Sequence, residues 1–372
     1  MADHEIKKFG SGVHNREDNE DTLKDSAKDA LNWLTIDGRI ELARGKVTVG
    51  AEGPAGSCPA IHIGYKANGS AILWRKVATA IQYLNVTTWV NVVTGLNPND
   101  IYVFTNYSSL TGAWTFAGGP GGLFKFANAN PTSYIQLYTT TDFFCGFPLI
   151  DKARMYLWGI AKDTTALYRS YVDVQRDGTS FTQISNENAA SGNGSQTVFS
   201  GTLAFKAGQP KRNCGLVTIK CTDGGGEIFT DDKNGGLKGT AGGVGAINYI
   251  TGAWSVTFVT VPSASANNIK ADYVWENSTV KGVADFTYSA SRLAGEGDVI
   301  RQDEGGDAIQ QLVIGIDGNY YSLKKQSAYQ HKYTDDDKTF NNQVVRRNIG
   351  VLTRKSSVTT GRGVVFINTA NP

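Results

Sequence analysis

The chain has 372 residues, more than one compact core usually holds, so the sequence predicts two folded units. Its 36 Lys and Arg residues nearly balance 34 Asp and Glu residues, and no long basic run offers a stripe for phosphate contacts. This charge pattern argues against a nucleic-acid-binding protein.

The first residues lack the apolar core of a secretion signal, and no run of about 18 apolar residues occurs. We therefore expect no membrane partner and a soluble protein that is not secreted from the cell that makes it.

The composition favours strands and turns. Gly is abundant with 43 residues, Met is scarce with 2, and β-branched and aromatic residues alternate with Gly, Asn and Asp clusters. The four cysteines include no Cys-x-x-Cys pair and the four histidines are scattered, so the spacing of a zinc site is absent. Cys214 and Cys221 could pair across a hairpin, but a reducing cytosol favours free thiols.

Residues 1–30 are charged and poor in large apolar side chains, and we interpret them as an extended N-terminal arm. A short helical turn fits near residues 25–33, where Ala27, Ala30 and Leu31 fall close to helical spacing. The arm is too polar to build a core by itself.

Residues 31–180 consist of short apolar runs separated by turn signals. Asp37-Gly38 and Asn68-Gly69 are strong hairpin signals between such runs. No helical pattern longer than two turns occurs between Trp74 and Val174, and a parallel sheet would need crossover helices. The segment therefore predicts an antiparallel meander, which either stacks into a sandwich or closes radially into a propeller.

Residues 181–282 differ in style and begin with a Gly-, Ser- and Asn-rich stretch typical of a boundary. From residue 283 to 372 the earlier style returns, with another hairpin signal at Asp317-Gly318. We interpret residues 31–180 and 283–372 as two parts of one β-propeller-like domain, interrupted by a β-sandwich module, because insertion at an exposed loop is tolerated. The predicted fold class is all-β: a β-propeller-like antiparallel meander with an inserted β-sandwich domain.

The predicted propeller-like domain has room for roughly five blades of ~45 residues. One internal echo supports repetition: Thr111-Gly112-Ala113-Trp114 recurs as Thr251-Gly252-Ala253-Trp254. The chain stops just after a strand, so we expect the last blade to be completed by the N-terminal arm or by a neighbouring subunit.

A resemblance enters in the inserted module. It is carried by Thr230-Asp231-Asp232, Gly235-Gly236-Leu237, Gly245-Ala246-Ile247-Asn248-Tyr249, Thr251-Gly252-Ala253, Val256-Thr257-Phe258, Pro262 and Ala271-Asp272-Tyr273. These phrases resemble a small β-sandwich module common in tail and baseplate proteins of tailed bacteriophages. The flanking phrases DALNWLTIDGRIELARG, YYSLKKQSAYQ and TGRGVVFINTANP are similar to phage virion propeller proteins. Together the matching segments cover about half of the chain.

The resemblance implies a structural component of the tail, baseplate or neck of a phage particle, without catalytic residues, metal or cofactor. Its partners would be other phage structural proteins and copies of itself in a symmetric assembly. The chain would be made in the cytoplasm of the bacterial host and would end up in the virion.

Two acidic clusters contain enough carboxylates for a chemical site. Glu296, Asp298, Asp303, Glu304 and Asp307 could bind calcium or serve a glycan-cleaving enzyme, but a solvated Gly-rich loop is favoured. Asp335-Asp336-Asp337 points its side chains in different directions along an extended chain, which favours a turn. No G-x-S-x-G, His-Glu-x-x-His or P-loop motif occurs, so the sequence does not indicate an enzyme.

The aromatic residues suggest an alternative function. Exposed tryptophans could stack on sugars, but a position in the core or at a subunit interface is favoured for the six considered, which are Trp74, Trp89, Trp114, Trp158, Trp254 and Trp275. Trp254 is the residue on which a receptor- or carbohydrate-binding module of the phage tail, with a host surface glycan as partner, would depend. Tyr320 and Tyr321 are adjacent on a strand and must face opposite sides, so at least one should meet an interface, a loop or a ligand.

Overall fold

The structure is a computed structural model, and it confirms the all-β fold class. The chain divides into two units, residues 1–51 and 52–372. The described residues are 33–36, 39–42, 60–108, 112–151, 153–170, 181–209, 213–223, 226–276, 282–286, 297–302, 307–332, 341–347, 350–351, 357–360 and 363–366.

The first unit contains one described hairpin. Its strands are β1 (Trp33–Ile36) and β2 (Arg39–Leu42), which pair antiparallel with Ile36 opposite Arg39. The hairpin predicted at Asp37-Gly38 is therefore confirmed. The predicted arm and its helical turn lie outside the described residues, apart from Trp33, which belongs to β1.

The second unit contains 26 described strands and two short 3₁₀ helices, Ala204–Gly208 and Gly282–Ala284. The strands are β3 (Ala60–Tyr65), β4 (Ala71–Val77), β5 (Ala80–Asn85), β6 (Thr88–Val93), β7 (Val103–Ser108), β8 (Ala113–Gly119), β9 (Gly122–Ala127), β10 (Tyr134–Tyr138), β11 (Phe147–Asp151), β12 (Arg154–Trp158), β13 (Ala166–Arg169), β14 (Phe181–Gly192), β15 (Val198–Thr202), β16 (Cys214–Cys221), β17 (Ile228–Asp231), β18 (Gly236–Gly239), β19 (Val244–Ile247), β20 (Ala253–Thr257), β21 (Ser265–Glu276), β22 (Asp298–Arg301), β23 (Ile309–Ile314), β24 (Tyr320–Lys324), β25 (Ser327–Lys332), β26 (Asn341–Arg347), β27 (Ser357–Thr360) and β28 (Gly363–Phe366). Among the described residues, no helix is long and apolar enough to cross a membrane.

In the described part of the chain, four antiparallel sheets of four strands each form the propeller-like body, and we call them blades. The first blade is β3-β4-β5-β6, the second is β7-β8-β9-β10, the third is β11-β12-β13-β22 and the fourth is β23-β24-β25-β26. The first strands of neighbouring blades pack on one another, β3 on β7 and β7 on β11, while β23 packs on β12 and on β27. The hairpin β27-β28 follows the fourth blade, and the number of blades in the complete domain stays a prediction.

The third blade is built from two separate parts of the chain. Its third strand, β13, ends at Arg169, and its fourth strand, β22, begins at Asp298. Residues 170–297 intervene and contain the inserted module. The chain thus leaves the body after the third strand of this blade and returns to supply its fourth strand.

The inserted module is one continuous antiparallel sheet in the order β14-β21-β16-β17-β18-β19-β20-β15. Two strands separate β17 from β20 in this order, yet the rings of Phe229 in β17 and Phe258, next to β20, lie 4.9 Å apart. The sheet therefore folds over and encloses a core on one face. Register shifts between the long strands β14 and β21 assist this bending, because a bulge increases the local twist.

Four of the six tryptophans predicted for the core or a subunit interface lie in the core, whereas Trp89 and Trp275 are half-buried. Trp74, Trp114, Trp158 and Trp254 are all buried. Trp74 of the first blade packs on Phe126 of the second, with ring centroids 4.7 Å apart. A buried indole ring removes a large apolar area from water. Rings of this kind between blades therefore stabilise the packing of one blade on the next.

The possible Cys214–Cys221 pair is excluded by topology. Both cysteines are free and buried, and they mark the two ends of the single strand β16. An extended chain rises about 3.3 Å per residue, so their side chains lie far beyond disulfide reach. The alternative of a disulfide across a hairpin is therefore wrong, because the two cysteines lie on one strand.

Two fully buried lysines occupy corresponding places in the first and fourth blades. Lys76 is the second-last residue of β4, and Lys324 is the last residue of β24. Each of these strands is the second strand of its blade. The Nζ of Lys76 donates to the carbonyl oxygens of Asn97 (2.9 Å) and Pro98 (3.2 Å), and also to that of Ala78. The Nζ of Lys324 donates to the carbonyl oxygen of Gln302, at 3.0 Å. Each lysine thus holds a loop that joins two blades.

A histidine lies between the first and second blades. The ring of His62 in β3 stacks on Phe104 in β7, with centroids 5.6 Å apart, and its Nε2 donates to Asn106 Oδ1 at 2.8 Å. Asn106 in turn donates to the carbonyl oxygen of Ile63, at 2.8 Å, which fixes the amide orientation. Burial lowers the pKa of His62, although the bond to Asn106 works in the opposite direction.

This lowered pKa predicts a loss of stability in mild acid. The unfolded chain binds the His62 proton more tightly than the folded chain, so stability present above pH ~6.5 is lost as the pH falls towards the folded pKa. Urea denaturation of the wild type and of His62→Gln between pH 7.5 and 5 measures the effect. We expect the advantage of the wild type over the variant to shrink as the pH falls; an advantage independent of pH would contradict this account.

Candidate interaction surface

The inserted module has one end near the body and one end far from it. Strands β14, β16, β18 and β20 run outwards, so the loops after β15, β17 and β19 lie at the near end. There Asn68 of the first blade donates its backbone N–H to Asn234 Oδ1 at 3.2 Å, and Asn248 Nδ2 donates to Ser133 Oγ at 2.7 Å. The loops after β14, β16, β18 and β20 form the far end.

The near end contains several residues of the motifs that resemble the phage tail module. Tyr249 is buried and donates its hydroxyl to Asp231 Oδ1 at 2.6 Å, while it accepts the backbone N–H of Gly235 at 3.0 Å. Asp232 Oδ1 accepts the N–H groups of Asn234 (2.8 Å) and Gly236 (2.9 Å). Burial raises the pKa of Asp231, although its bond with Tyr249 works in the opposite direction. These residues shape the turn that meets the body, which is a structural task.

At the far end a buried carboxylate joins three loops. Glu227, in the loop after β16, accepts the N–H of Gly243 on Oε1 at 2.8 Å and the N–H of Val259 on Oε2 at 2.9 Å. Gly243 precedes β19 and Val259 follows β20. A Cβ atom at Gly243 would lie 2.5 Å from Glu227 Oε1, so this close approach requires glycine. The carboxylate fixes the positions of these loops.

A buried amide ties the remaining loops together. Asn268 Oδ1 accepts the N–H of Gly192 at 2.6 Å, and Asn268 Nδ2 donates to Asp223 at 2.8 Å and to the carbonyl oxygen of Ser263 at 3.0 Å. The backbone of the first and last loops is also joined directly, because Gly194 donates to the carbonyl oxygen of Pro262 at 3.1 Å. The four far loops therefore form one hydrogen-bonded unit.

Exposed aliphatic side chains lie on this unit. Val198 in β15 and Val244 in β19 stand opposite Thr257 of the intervening strand β20, so the three side chains form a row on the outer face. Val244 is 66% exposed, Val198 60% and Val259 58%. Nearer to the body, Ser200 of β15 and Ser255 of β20 occupy outward positions, so the aliphatic groups concentrate at the far end. We call the set Val198, Ile228, Val244, Val259 and Val261 the distal rim.

A second exposed apolar group lies on the first strand of the first blade. Ile61, Ile63 and Tyr65 alternate along β3 and are all exposed, whereas His62 and Gly64 between them face the second blade. The three exposed side chains form an apolar stripe on the opposite face, which we call the β3 stripe.

The sequence pointed to Trp254, Tyr320 and Tyr321 for ligands or interfaces. Trp254 is buried in the inserted module, against Gly201 of the neighbouring strand β15. No ring face of Trp254 is open for a sugar, so its assignment as a ligand contact is corrected by the folding of the sheet, which puts this face of β20 inside.

Tyr320 and Tyr321 face opposite sides of β24, as predicted. Tyr320 is fully buried, its hydroxyl donates to Asp151, and its ring lies 4.5 Å from that of Tyr156. Tyr320 therefore contacts the third blade of its own chain and not a ligand. Tyr321 is half-buried, and its hydroxyl donates to Asp317 Oδ2 at 2.7 Å. Tyr321 therefore contacts the adjacent turn of its own chain. The sequence had predicted that one of the two tyrosines would meet an interface, a loop or a ligand.

The acidic clusters give no chemical centre in the described residues. Asp298 lies 3.9 Å from Arg169, and Asp307 accepts the N–H of Gln326 at 3.0 Å while lying 3.6 Å from Lys324. Among the residues described, no group of three or more His, Cys, Asp and Glu side chains could hold a metal ion. The other predicted members of the clusters, Glu296, Asp303, Glu304 and Asp335-Asp336-Asp337, lie outside the described residues.

Sequence reasoning missed the distal rim. The signal was present, because Val198 precedes the buried Phe199 and Val259 follows the buried Phe258, so each valine must face outwards. The sequence alone did not show that the ends of these strands lie together at the far end of the module.

Comparison with known proteins gives little guidance. No family model and no curated protein matches the chain. Two crystal structures of the extracellular domain of BT4673 from B. thetaiotaomicron, described as part of a one component system and of a hybrid two component system, match at 13% identity with TM-scores of 0.24 and 0.25. The matches cover 84% and 85% of this chain but only 38% and 39% of those chains.

Proposed function

We propose that the protein is a structural component of a tailed-phage particle, in its tail, baseplate or neck, that acts through protein–protein contacts in a symmetric assembly. The phage-like phrases of the inserted module motivate the assignment to a particle. The observation that carries the contact role is the distal rim, where five aliphatic side chains are exposed together at the far end of the module. Clustered exposed apolar groups are typical of interaction sites.

The rim is suited to bind another protein. Glu227 and Asn268 hold its loops in place before any partner arrives, so little conformational entropy would be lost on binding. Complete burial of one valine contributes about 1.5 kcal/mol or more, and several valines together would supply useful affinity. A sugar partner is disfavoured, because the rim is aliphatic and Trp254 is buried.

The β3 stripe supplies a second contact surface. Repeated head-to-tail contacts in a ring join two different patches of each subunit, so a ring subunit needs at least two surfaces. The rim and the stripe are two such surfaces on different parts of the chain. The primary test is mass spectrometry of purified particles of the phage that encodes this chain. Absence of the chain from intact particles would overturn the proposal.

A charge placed in the rim is expected to block assembly. The double variant Val198→Asp, Val244→Asp would bring two carboxylates into the contact, where an unpaired buried charge costs several kcal/mol. We expect at least a tenfold loss of incorporation into particles (~1.4 kcal/mol) in a complementation assay. Ser255→Asp, on the same outer face but outside the rim, is the matched control and should incorporate normally. Equal incorporation of the two variants, both with wild-type melting temperature, would refute the role of the rim.

A further inference from the structure

Three lysines lie beside the distal rim on the outer face of the inserted module. Lys220 of β16 stands directly opposite Ile228 of β17, and Lys238 of β18 stands directly opposite Val244 of β19. Lys270 of β21 stands opposite Lys220 on the other side of β16. Neighbouring strands are about 4.8 Å apart, so these amines are immediate neighbours of the aliphatic side chains. We call Lys220, Lys238 and Lys270 the lysine border.

The positive charge of the lysine border is only partly balanced within the sheet. Lys220 Nζ lies 2.6 Å from Asp272 Oδ2, whereas Lys270 Nζ donates to the neutral amide of Asn188. Like charges directly opposite each other on adjacent strands destabilise a sheet. A carboxylate brought in by a partner would offset the repulsion between Lys220 and Lys270.

The remaining charges of the far end leave this preference unchanged. Lys238 is exposed on β18. The two carboxylates of the far loops are turned to the loops themselves: Glu227 is buried against two backbone N–H groups, and Asp223 accepts the amide of Asn268. Because complementary charge sets specificity and the rate of association, the rim should select a partner with carboxylates beside aliphatic side chains.

The N-terminal arm of the sequence has this chemistry. Glu17, Asp18, Glu20 and Asp21 fall within five residues, and Leu23 follows them. One basic residue lies on each side of this run, so the segment is acidic overall. Charged segments of this kind are often interaction tails, which become ordered when they bind.

We propose that the acidic segment 17–23 of one copy binds the distal rim of a second copy. The carboxylates of the segment pair with the amines of the lysine border, and Leu23 lies on the exposed valines of the rim. The inference rests on the proposed function, because it names a second copy of the chain as the partner of the rim.

The small size of the segment determines the strength of the contact. A stable interface usually takes about 20 to 30 residues from each side, far more than residues 17–23 supply, so one contact should be weak. Each subunit of a ring makes the contact twice, once with its arm and once with its rim. Ring closure therefore raises the effective concentration and stabilises the closed assembly.

Salt dependence of self-association gives the first test. Sedimentation velocity of the full chain at ~50 mM and ~500 mM salt measures the association constant in both conditions. We expect a dissociation constant of about 10 μM at low salt and at least a tenfold weaker one (~1.4 kcal/mol) at high salt, because exposed charges are screened. A chain that stays monomeric at both salt concentrations, or associates equally at both, would overturn the proposal.

A charge exchange between the two surfaces tests the assigned contact. One variant reverses the rim side, with Lys220→Glu, Lys238→Glu and Lys270→Glu, and the other reverses the arm, with Glu17→Lys, Asp18→Lys, Glu20→Lys and Asp21→Lys. Each variant alone should be monomeric, whereas an equimolar mixture should associate, because each then meets the opposite charge. The matched control, Lys162→Glu, Lys233→Glu and Lys332→Glu, changes exposed lysines away from the far end and should associate like the wild type.

Two folded variants that fail to associate on mixing would refute the contact. The single variant Lys238→Glu, at an exposed position, keeps the test valid if the triple variant unfolds, and should weaken self-association about threefold. Particles that contain a chain unable to self-associate would support the proposed function and overturn this inference. Self-association of a chain that is absent from particles would support the inference and overturn the proposed function.

Discussion

Replacing Glu227 by alanine is expected to destabilise the far end of the inserted module by about 3 kcal/mol. The substitution removes two charge-assisted hydrogen bonds and leaves the N–H groups of Gly243 and Val259 without their acceptor. Hydrogen exchange provides the local measurement, because it reports opening of individual amides. We expect these two amides to exchange about 100-fold faster, since every ~1.4 kcal/mol corresponds to a factor of ten.

The variant Glu227→Gln serves as a matched comparison. Glutamine has the same shape but only one acceptor oxygen, so one of the two N–H groups keeps its partner and the loss should be intermediate. Amides in the first blade, such as that of Lys66, which donates to the carbonyl oxygen of Ser70, should be unaffected in both variants. Wild-type exchange at Gly243 and Val259 in Glu227→Ala would show that the carboxylate does not hold the loops.

The change Lys76→Met is expected to lower the free energy of unfolding by about 2 kcal/mol. Methionine fills a similar volume but cannot donate to the carbonyl oxygens of Asn97 and Pro98, which then lose a charged donor. The loss is tempered because the cost of burying an ammonium group also disappears. That cost is visible in the folded chain, where burial lowers the pKa of Lys76 and Asp100 opposes the shift only in part.

Urea denaturation followed by tryptophan fluorescence measures this effect, since Trp74 lies in the same strand as Lys76. Lys238→Met is the control, because Lys238 is exposed on β18, and its replacement should change stability by less than about 0.5 kcal/mol. Lys324→Met should resemble Lys76→Met, given the similar position of the two lysines. A variant at Lys76 as stable as the wild type would show that the loop between the first two blades does not depend on this amine.

The sequence predicted the features that depend on neighbouring residues. The turns at Asp37-Gly38 and Asp317-Gly318 were predicted because glycine and aspartate favour the conformation of tight hairpins wherever they occur. The antiparallel meander followed from the short apolar runs and the lack of helical periods. The burial of Trp74 and Trp114 followed from the large apolar area of the indole ring.

Tertiary structure decided the features that depend on residues far apart in the chain. Cys214 and Cys221 share one strand, and Trp254 faces inwards, because the inserted sheet folds over as a whole. The buried position of Lys76 depends on carbonyl groups about 20 residues away, and the wall of the cavity between the second, third and fourth blades combines β7 with β23. Strand periodicity determines which side chains share a face, but only the packing of distant strands determines whether that face meets water, another blade or a partner.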